Sequence, residues 1–101
     1  MAFERRSEDH RALPWPVRKP ATSADWIRIT ARPCADPKVL AHIAAAGEDP
    51  LDYRMARADL AGVGYAACWK PKFRTREAFI RFEDGDEGLI PVEALKPIPE
   101  A

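Results

Sequence analysis

The residues best suited to chemistry lie in a basic stretch in the second half of the chain. Four cations fall within seven residues, with no acidic residue among them: Lys70, Lys72, Arg74 and Arg76. In an extended loop these alternate side chains would point the same way, and Phe73 among them could stack on a base. The stretch therefore predicts a contact for phosphate or for an acidic partner. The competing interpretation is a solvated loop whose charges keep a neutral protein soluble.

An acidic cluster follows this basic stretch. Residues 83–87 carry four carboxylates around Gly85. If residues 69–83 pair as a hairpin, the basic and acidic clusters fall at its opposite ends. A calcium loop is not expected, because Leu95 stands where such a loop needs a bidentate glutamate.

The second candidate contact is a proline-rich stretch near the N-terminus. Trp15 lies between two prolines and is followed by Arg18 and Lys19. Proline fixes φ and removes a hydrogen-bond donor, so the segment should be extended. A stiff tryptophan is a good anchor for a pocket on a partner. It could equally fold back on its own domain and cover an exposed sheet edge.

The sequence contains few residues in patterns typical of catalysis or metal binding. The chain holds two cysteines and two histidines, and no CxxC or HxxxH pair occurs. No zinc half-site is therefore predicted. No serine or threonine has a nucleophile-elbow context, and no glycine-rich phosphate loop is present. We expect no enzyme, no metal and no cofactor. Cys34 and Cys68 are expected to be small buried hydrophobes rather than a disulfide.

Composition limits the class of protein. A chain of 101 residues allows one small domain. Its 16 basic and 16 acidic residues cancel, which argues against nucleic-acid binding by the whole surface. No run of 18 apolar residues occurs, so no membrane span and no membrane partner are predicted. The N-terminus lacks the apolar stretch of a secretory signal, which favours a cytoplasmic location.

The domain that must position these groups is predicted to be α+β. Residues 1–22 are expected to form an extended arm, and residues 23–101 a single small domain. Residues 25–30 have the pattern of a strand. Asp36 and Pro37 are typical of a helix start, and a helix is predicted from there to Gly47. A second helix is predicted from Pro50 to about residue 61, which would make a helical hairpin insertion.

The last third of the chain is predicted to be β structure. Strands are expected over residues 63–69, 78–82 and 89–92, with Phe79 facing the core. Asp84 and Gly85 are typical of a tight turn between the last two of these strands. A single helical turn is expected over residues 93–95.

The stretch Gly88-Leu89-Ile90-Pro91-Val92-Glu93-Ala94-Leu95-Lys96-Pro97-Ile98 resembles the end of a Src-homology-3-like or Tudor-like small β-barrel. In that family a strand and an acidic turn precede Gly-Leu-Ile-Pro, a single 3₁₀ turn and a last short strand. The resemblance covers residues 63–98 and implies a small barrel or curled antiparallel sheet. The Asn-Tyr pair of the peptide-binding members is absent after Pro91, and Trp69 stands alone. The resemblance therefore does not imply a groove for proline-rich peptides.

Two classes of function follow from these observations. The first is a non-enzymatic protein-interaction module, such as an accessory or regulatory subunit or a small inhibitor. Small size, the absence of a catalytic set, balanced charge and the extended arm favour it. The second is a nucleic-acid-associated module that acts through residues 70–76. The dependence of binding on salt separates the two, since phosphate contacts give a steep negative slope.

Overall fold

The computed structural model describes residues 2–6 and 24–99. In these residues seven strands form one antiparallel sheet in the order β6-β5-β4-β3-β2-β1-β7, curled into a half-barrel. The strands are β1 (Ala2–Arg6), β2 (Trp26–Pro33), β3 (Arg54–Leu60), β4 (Val63–Lys72), β5 (Glu77–Phe82), β6 (Glu87–Pro91) and β7 (Lys96–Ile98). One helix, α1 (Pro37–Ala45), lies between β2 and β3, and 3₁₀ turns occupy Pro50–Asp52 and Val92–Ala94.

The chain start corrects the prediction of an extended arm over residues 1–22. Residues 2–6 form β1, which pairs with β2 on one side and with β7 on the other. Two side-chain contacts support this strand: Phe3 packs against the core, and Glu4 forms an ion pair with Arg28. The proline-rich remainder of the predicted arm lies outside the described residues.

The curl of the sheet encloses an inner core. Its members come from β2 to β6 and from the turn after β6: Ile27, Ile29, Ala56, Ala58, Leu60, Ala67, Ala78, Ile80, Phe82, Ile90 and Ala94. Phe3, Tyr65, Trp69 and Leu95 pack against it and are only partly buried. Five of these eleven positions are alanine, and their small side chains leave room for the larger ones inside the curl.

Helix α1 confirms the prediction for the first helix. The carboxylate of Asp36 accepts hydrogen bonds from the backbone nitrogens of Lys38 and Val39 at 3.0 and 3.1 Å. Val39 and Ile43 are buried. Gly47 follows the helix with φ of +73°, a conformation that glycine adopts at little cost. Local signals mark where this helix begins and ends, and burial of Val39 and Ile43 stabilises it.

The second predicted helix is wrong, and so is the helical hairpin. Only a 3₁₀ turn follows Pro50, and β3 occupies residues 54–60. Ala56, Ala58 and Leu60 are buried, while Arg57 and Asp59 lie on the other side of the strand. Alanine is a strong helix former, so its alternation in a strand is easily mistaken for helix. Gly62 does not end a helix but completes the two-residue turn between β3 and β4, with φ of +78°.

The prediction for the C-terminal elements is confirmed in their order. Strands β4 and β5 form a hairpin, with Lys72 opposite Glu77 and Ala67 opposite Phe82. The acidic turn, β6, a 3₁₀ turn and β7 follow. The facing of β5 was wrong, since Ile80 and Phe82 enter the inner core and Phe79 lies on the opposite face.

An outer core lies on the convex face of the sheet, beneath α1. Val39, Ile43, Tyr53 and Cys68 are buried there, with Cys34 and Phe79 packed against them. Cys34 and Cys68 form a disulfide with their Cα atoms 5.7 Å apart, which corrects the expectation of free thiols. This crosslink joins the segment before α1 to the middle of β4. Disulfides are more typical of oxidising compartments than of the cytosol.

No helix among the described residues is long and apolar enough to cross a membrane.

Replacement of Phe82 by alanine should cost about 3–5 kcal/mol of unfolding free energy, because its ring is fully buried in the inner core. Phe79→Ala should cost clearly less, because Phe79 is half-buried beside the outer core. Urea denaturation of both variants measures the difference. Equal losses would contradict the facing of β5 described above.

Replacement of both cysteines by alanine should lower the unfolding free energy by about 3–4 kcal/mol. The partners are 34 residues apart, and the crosslink restricts the unfolded chain over that length. Denaturation of the oxidised wild type, the reduced wild type and the double variant gives the measurement. Unfolding should stay a single transition, since both cores share β4. A loss near zero would show that the thiols are not bonded.

Candidate binding groove

The inner core is open at one end of the half-barrel, where an apolar cavity of about 490 Å³ reaches the surface. We call it the hairpin groove. Its lining comes from β1, β2, the β4–β5 hairpin and the turn after β6: Phe3, Ile29, Trp69, Pro71, Lys72, Phe73, Arg76, Glu77, Ala78, Val92 and Leu95. Most of these side chains are hydrophobic, and the charged ones sit on the hairpin. The groove therefore offers hydrophobic contact with charge on one side.

Two hydrogen bonds hold the walls of the hairpin groove in place. The indole nitrogen of Trp69 donates to the carbonyl oxygen of Thr30 at 2.7 Å, which fixes the ring between β4 and β2. The backbone nitrogen of Val92 donates to the carbonyl oxygen of Arg76 at 2.9 Å. The second bond ties the 3₁₀ turn to the tip of the hairpin. The two sides of the groove are thus positioned before anything binds.

The tip of the hairpin is held in an unusual backbone conformation. Arg76 has φ of +55°, in the left-handed region that disfavours side chains other than glycine, asparagine and aspartate. Such a position costs about 1–2 kcal/mol. The side chain at this position, that of Arg76, is a cation and lines the hairpin groove.

The structure divides the basic stretch between two surfaces. Lys72, Phe73 and Arg76 line the hairpin groove, and Arg74 is exposed on the same turn. Lys72 also lies over the ring of Phe79, with its Nζ 4.9 Å from the ring centroid. The ammonium of Lys72 is therefore on the face of the sheet that carries Phe79, and of the four predicted cations Arg74 and Arg76 remain at the hairpin tip.

Lys70 does not belong to this group. Its ammonium forms an ion pair with Glu48 on the convex face and lies 5.2 Å from the centroid of the Tyr53 ring. The hydrogen bond that its ammonium donates to Glu48 raises the pKa of Lys70. The prediction that all four cations point the same way is therefore wrong: the ammonium groups of Lys70 and Lys72 lie 6.0 and 4.9 Å from the centroid of the Phe79 ring, whereas Arg76 lines the hairpin groove.

Glu48 is the centre of a polar cluster that covers the outer core. Its carboxylate accepts from Arg81 at 2.5 Å and from the Tyr53 hydroxyl at 2.9 Å, in addition to Lys70. Arg81 also pairs with Glu87 at 3.1 Å. Burial raises the pKa of Glu48, but the hydrogen bonds from Lys70, Arg81 and Tyr53 together outweigh it and bring the pKa to about 2. The cluster stabilises the fold and lies apart from the hairpin groove.

A second depression adjoins the hairpin groove. We call it the side depression; its volume is about 310 Å³, and its lining is Thr75, Arg76, Pro91, Val92 and Glu93. Arg76 and Val92 line both depressions and so form the ridge between them. The two depressions are therefore adjacent at the hairpin tip.

The acidic cluster lies at the other end of β5 from the hairpin tip. Gly85 in this turn has φ of +88°, and a Cβ there would lie 3.2 Å from the His42 ring. A ring nitrogen of His42 lies 3.1 Å from the carbonyl oxygen of Glu83. The turn therefore serves as a packing surface for α1. Residues 2–6 and 24–99 contain no group of His, Cys, Asp and Glu that could hold a metal ion.

Trp15, Arg18 and Lys19, the predicted contacts of the arm, lie outside the described residues. The lining residues that sequence reasoning missed include Phe3, Ile29, Val92 and Leu95, because they come from β1, from β2 and from the turn after β6, which are far apart in sequence. The one available signal was the run Ile90-Pro91-Val92, where an apolar residue beyond the strand proline suggests an exposed wall.

Comparison of the chain with protein-family models, with curated proteins and with solved structures gave no match in any of the three.

The low pKa of Glu48 predicts an acid-sensitive contribution to stability. The folded-state pKa of about 2 lies below the ordinary value of 4.5. The contribution is therefore complete above about pH 4.5 and is lost as the pH falls through about 2. Unfolding free energy measured by denaturation across this window should fall less steeply for Glu48→Gln than for the wild type. Identical pH profiles would contradict the role of the Glu48 cluster.

Proposed function

We propose that the protein is a non-enzymatic interaction module, acting as an accessory or regulatory subunit or as an inhibitor, and that its docking surface is the hairpin groove. The observation that carries the proposal is an open apolar cavity, lined mostly by hydrophobic side chains and edged by Arg76 and Glu77. A bulky side chain of a partner protein fits such a cavity and loses its contact with water there.

The exposed hydrophobic side chains at the edge of the groove support this proposal. Phe73 is 86% exposed and Val92 is 52% exposed, and both line the cavity. Hydrophobic patches rimmed by polar residues commonly mark interaction sites. A cavity of about 490 Å³ also falls within the range of ordinary binding sites.

We propose further that the fold is an α+β variant of the Src-homology-3-like or Tudor-like small barrel, with α1 and its flanking segments as the insertion. The order of β4, β5, the acidic turn, β6, the 3₁₀ turn and β7 supports it. Fold resemblance of this kind does not identify a function.

A nucleic-acid-associated module is the second candidate. The observation that favours it is the exposed ring of Phe73 on the same turn as Arg74 and Arg76. An aromatic ring beside cations can stack on an unpaired base. Because Lys70 forms an ion pair with Glu48, less positive charge is available for phosphate. A steep decline of oligonucleotide affinity with salt would favour this candidate over the first.

Replacement of Phe73 by serine should reduce partner binding by about tenfold or more without changing stability beyond about 0.5 kcal/mol, since the side chain is exposed. Leu51→Ser is the matched control, because Leu51 is 80% exposed and does not line the groove. Immobilised wild type and both variants are compared for the proteins that each retains from native lysate, and affinity is then measured with the retained partner.

The proposal expects a partner that the wild type and Leu51→Ser retain and that Phe73→Ser loses. Equal retention by all three proteins would contradict docking in the hairpin groove. Loss of thermal stability in Phe73→Ser would instead show that the ring packs within the fold.

A further inference from the structure

We infer that the Cys34–Cys68 disulfide is a redox-sensitive clamp on the hairpin groove, and that its reduction by a dithiol loosens the wall formed by β2 and Trp69. The inference rests on the proposed function, because it names a means of regulating the proposed docking surface. The reduction and the change in the wall concern this chain alone, so both can be measured without a partner.

The disulfide and a wall of the groove hold the same two strands together from opposite faces of the sheet. Cys68 lies on the convex face and is bonded to Cys34, just beyond the end of β2. Its neighbour Trp69 lines the groove and donates to the carbonyl oxygen of Thr30, within β2, at 2.7 Å. The last part of β2 is therefore fastened to β4 twice, across the intervening strand β3.

The last part of β2 depends on such ties because its backbone pairing with β3 is irregular. The register is regular up to Ile29 and shifts before the next pair, which joins Pro33 to Arg54. Between these points the Thr30 hydroxyl donates to the carbonyl oxygen of Met55 at 3.0 Å. An irregularity of this kind locally disrupts the ladder of hydrogen bonds. Loss of the crosslink therefore acts on a weakly paired segment, and Ile29 at its start lines the groove.

The crosslink is open to solvent on the side of Cys34. Cys68 is completely buried, whereas Cys34 is partly exposed. A thiolate of the dithiol therefore attacks Sγ of Cys34 and forms a mixed disulfide, and Cys68 leaves as a thiolate. The second thiol of the reductant then attacks its own sulfur in the mixed disulfide and releases Cys34. Two electrons pass from the dithiol to the protein, and the two protons of the dithiol end on the two cysteines.

The inner core can keep the sheet folded after reduction. Both cysteines contact the outer core, whereas the inner core is built from other residues of β2 to β6 and of the turn after β6. Segments with few stabilising contacts open locally, at a lower free energy than the whole domain. Reduction should therefore free the end of β2 and the Trp69 side chain while the inner core remains packed.

The test compares the ¹⁵N-labelled full chain in its oxidised form and after treatment with dithiothreitol. Alkylation with iodoacetamide, followed by mass spectrometry, measures the thiols formed in the folded protein. The indole N–H of Trp69, assigned with Trp69→Phe, should exchange with solvent at least about tenfold faster in the reduced form. The amide resonances of Ile80 and Phe82 should keep their chemical shifts, because both residues lie in the inner core.

Two controls separate local loosening from a general loss of stability. Cys34→Ser with Cys68→Ser should show the faster exchange without dithiothreitol and should not respond to it. The faster exchange should also be independent of urea at low concentration, because a local opening exposes little surface. Exchange that rises with urea in step with global unfolding would overturn the clamp and show a crosslink that stabilises the whole fold. Unchanged exchange of the Trp69 indole after complete reduction would overturn it as well.

Glutathione, a monothiol, identifies the sulfur that is attacked. Brief treatment, acid quenching and proteolysis should place the glutathione adduct on Cys34, since Cys68 is buried. An adduct on Cys68 would overturn the proposed step. A disulfide that resists both glutathione and dithiothreitol until the protein is denatured would overturn the clamp.

Regulation of docking is measured with a partner that the lysate comparison yields. The reduced protein should bind it at least about tenfold more weakly, because the wall of the groove is no longer positioned in advance. Equal affinity of the oxidised and reduced forms would overturn the regulation and leave docking intact. Docking itself is judged separately, by the comparison of Phe73→Ser with Leu51→Ser.

Discussion

The structure depends on the alternation of side chains along β4, because this strand contributes to both cores. Ala67 enters the inner core and Trp69 packs against it, while Cys68 lies in the outer core beneath α1. Lys70 continues the outer series and pairs with Glu48. A shift of register by one residue would put Trp69 under the helix and Cys68 inside the curl. The disulfide from Cys34 opposes such a shift, since it fixes Cys68 to the convex face.

The elements that could be predicted from sequence are those with local signals. Asp36 and Pro37 mark the start of α1 through their own hydrogen bonding and backbone geometry. Strand β3 lacked such a signal, since Ala56 and Ala58 are small enough for either a helix or a strand. These residues form a strand because they pair with β2 and β4, and such pairing cannot be recognised from a local sequence pattern. Strand β1 was missed for the same reason, because its partners lie far along the chain.

The candidate site could be predicted only in part, for a related reason. The charge of the basic stretch is visible in sequence, and two of its cations, Arg74 and Arg76, lie at the hairpin tip. The separation of Lys70 from them depends on Glu48, which is 22 residues away. The groove depends on Phe3 and Leu95, from opposite ends of the described chain. Sequence thus indicated the charge of the site, whereas its shape comes from the curl of the sheet.

The polar residues beside the hairpin groove bear on how an open apolar surface is compatible with a free protein. Exposed rings such as Phe73 favour self-association, because two such patches can bury each other's surface. Arg74 lies on the same turn as Phe73, and Arg76 and Glu77 line the groove itself. Covering the apolar lining with a second copy would therefore also take charged groups out of water, which is costly unless each gains a partner.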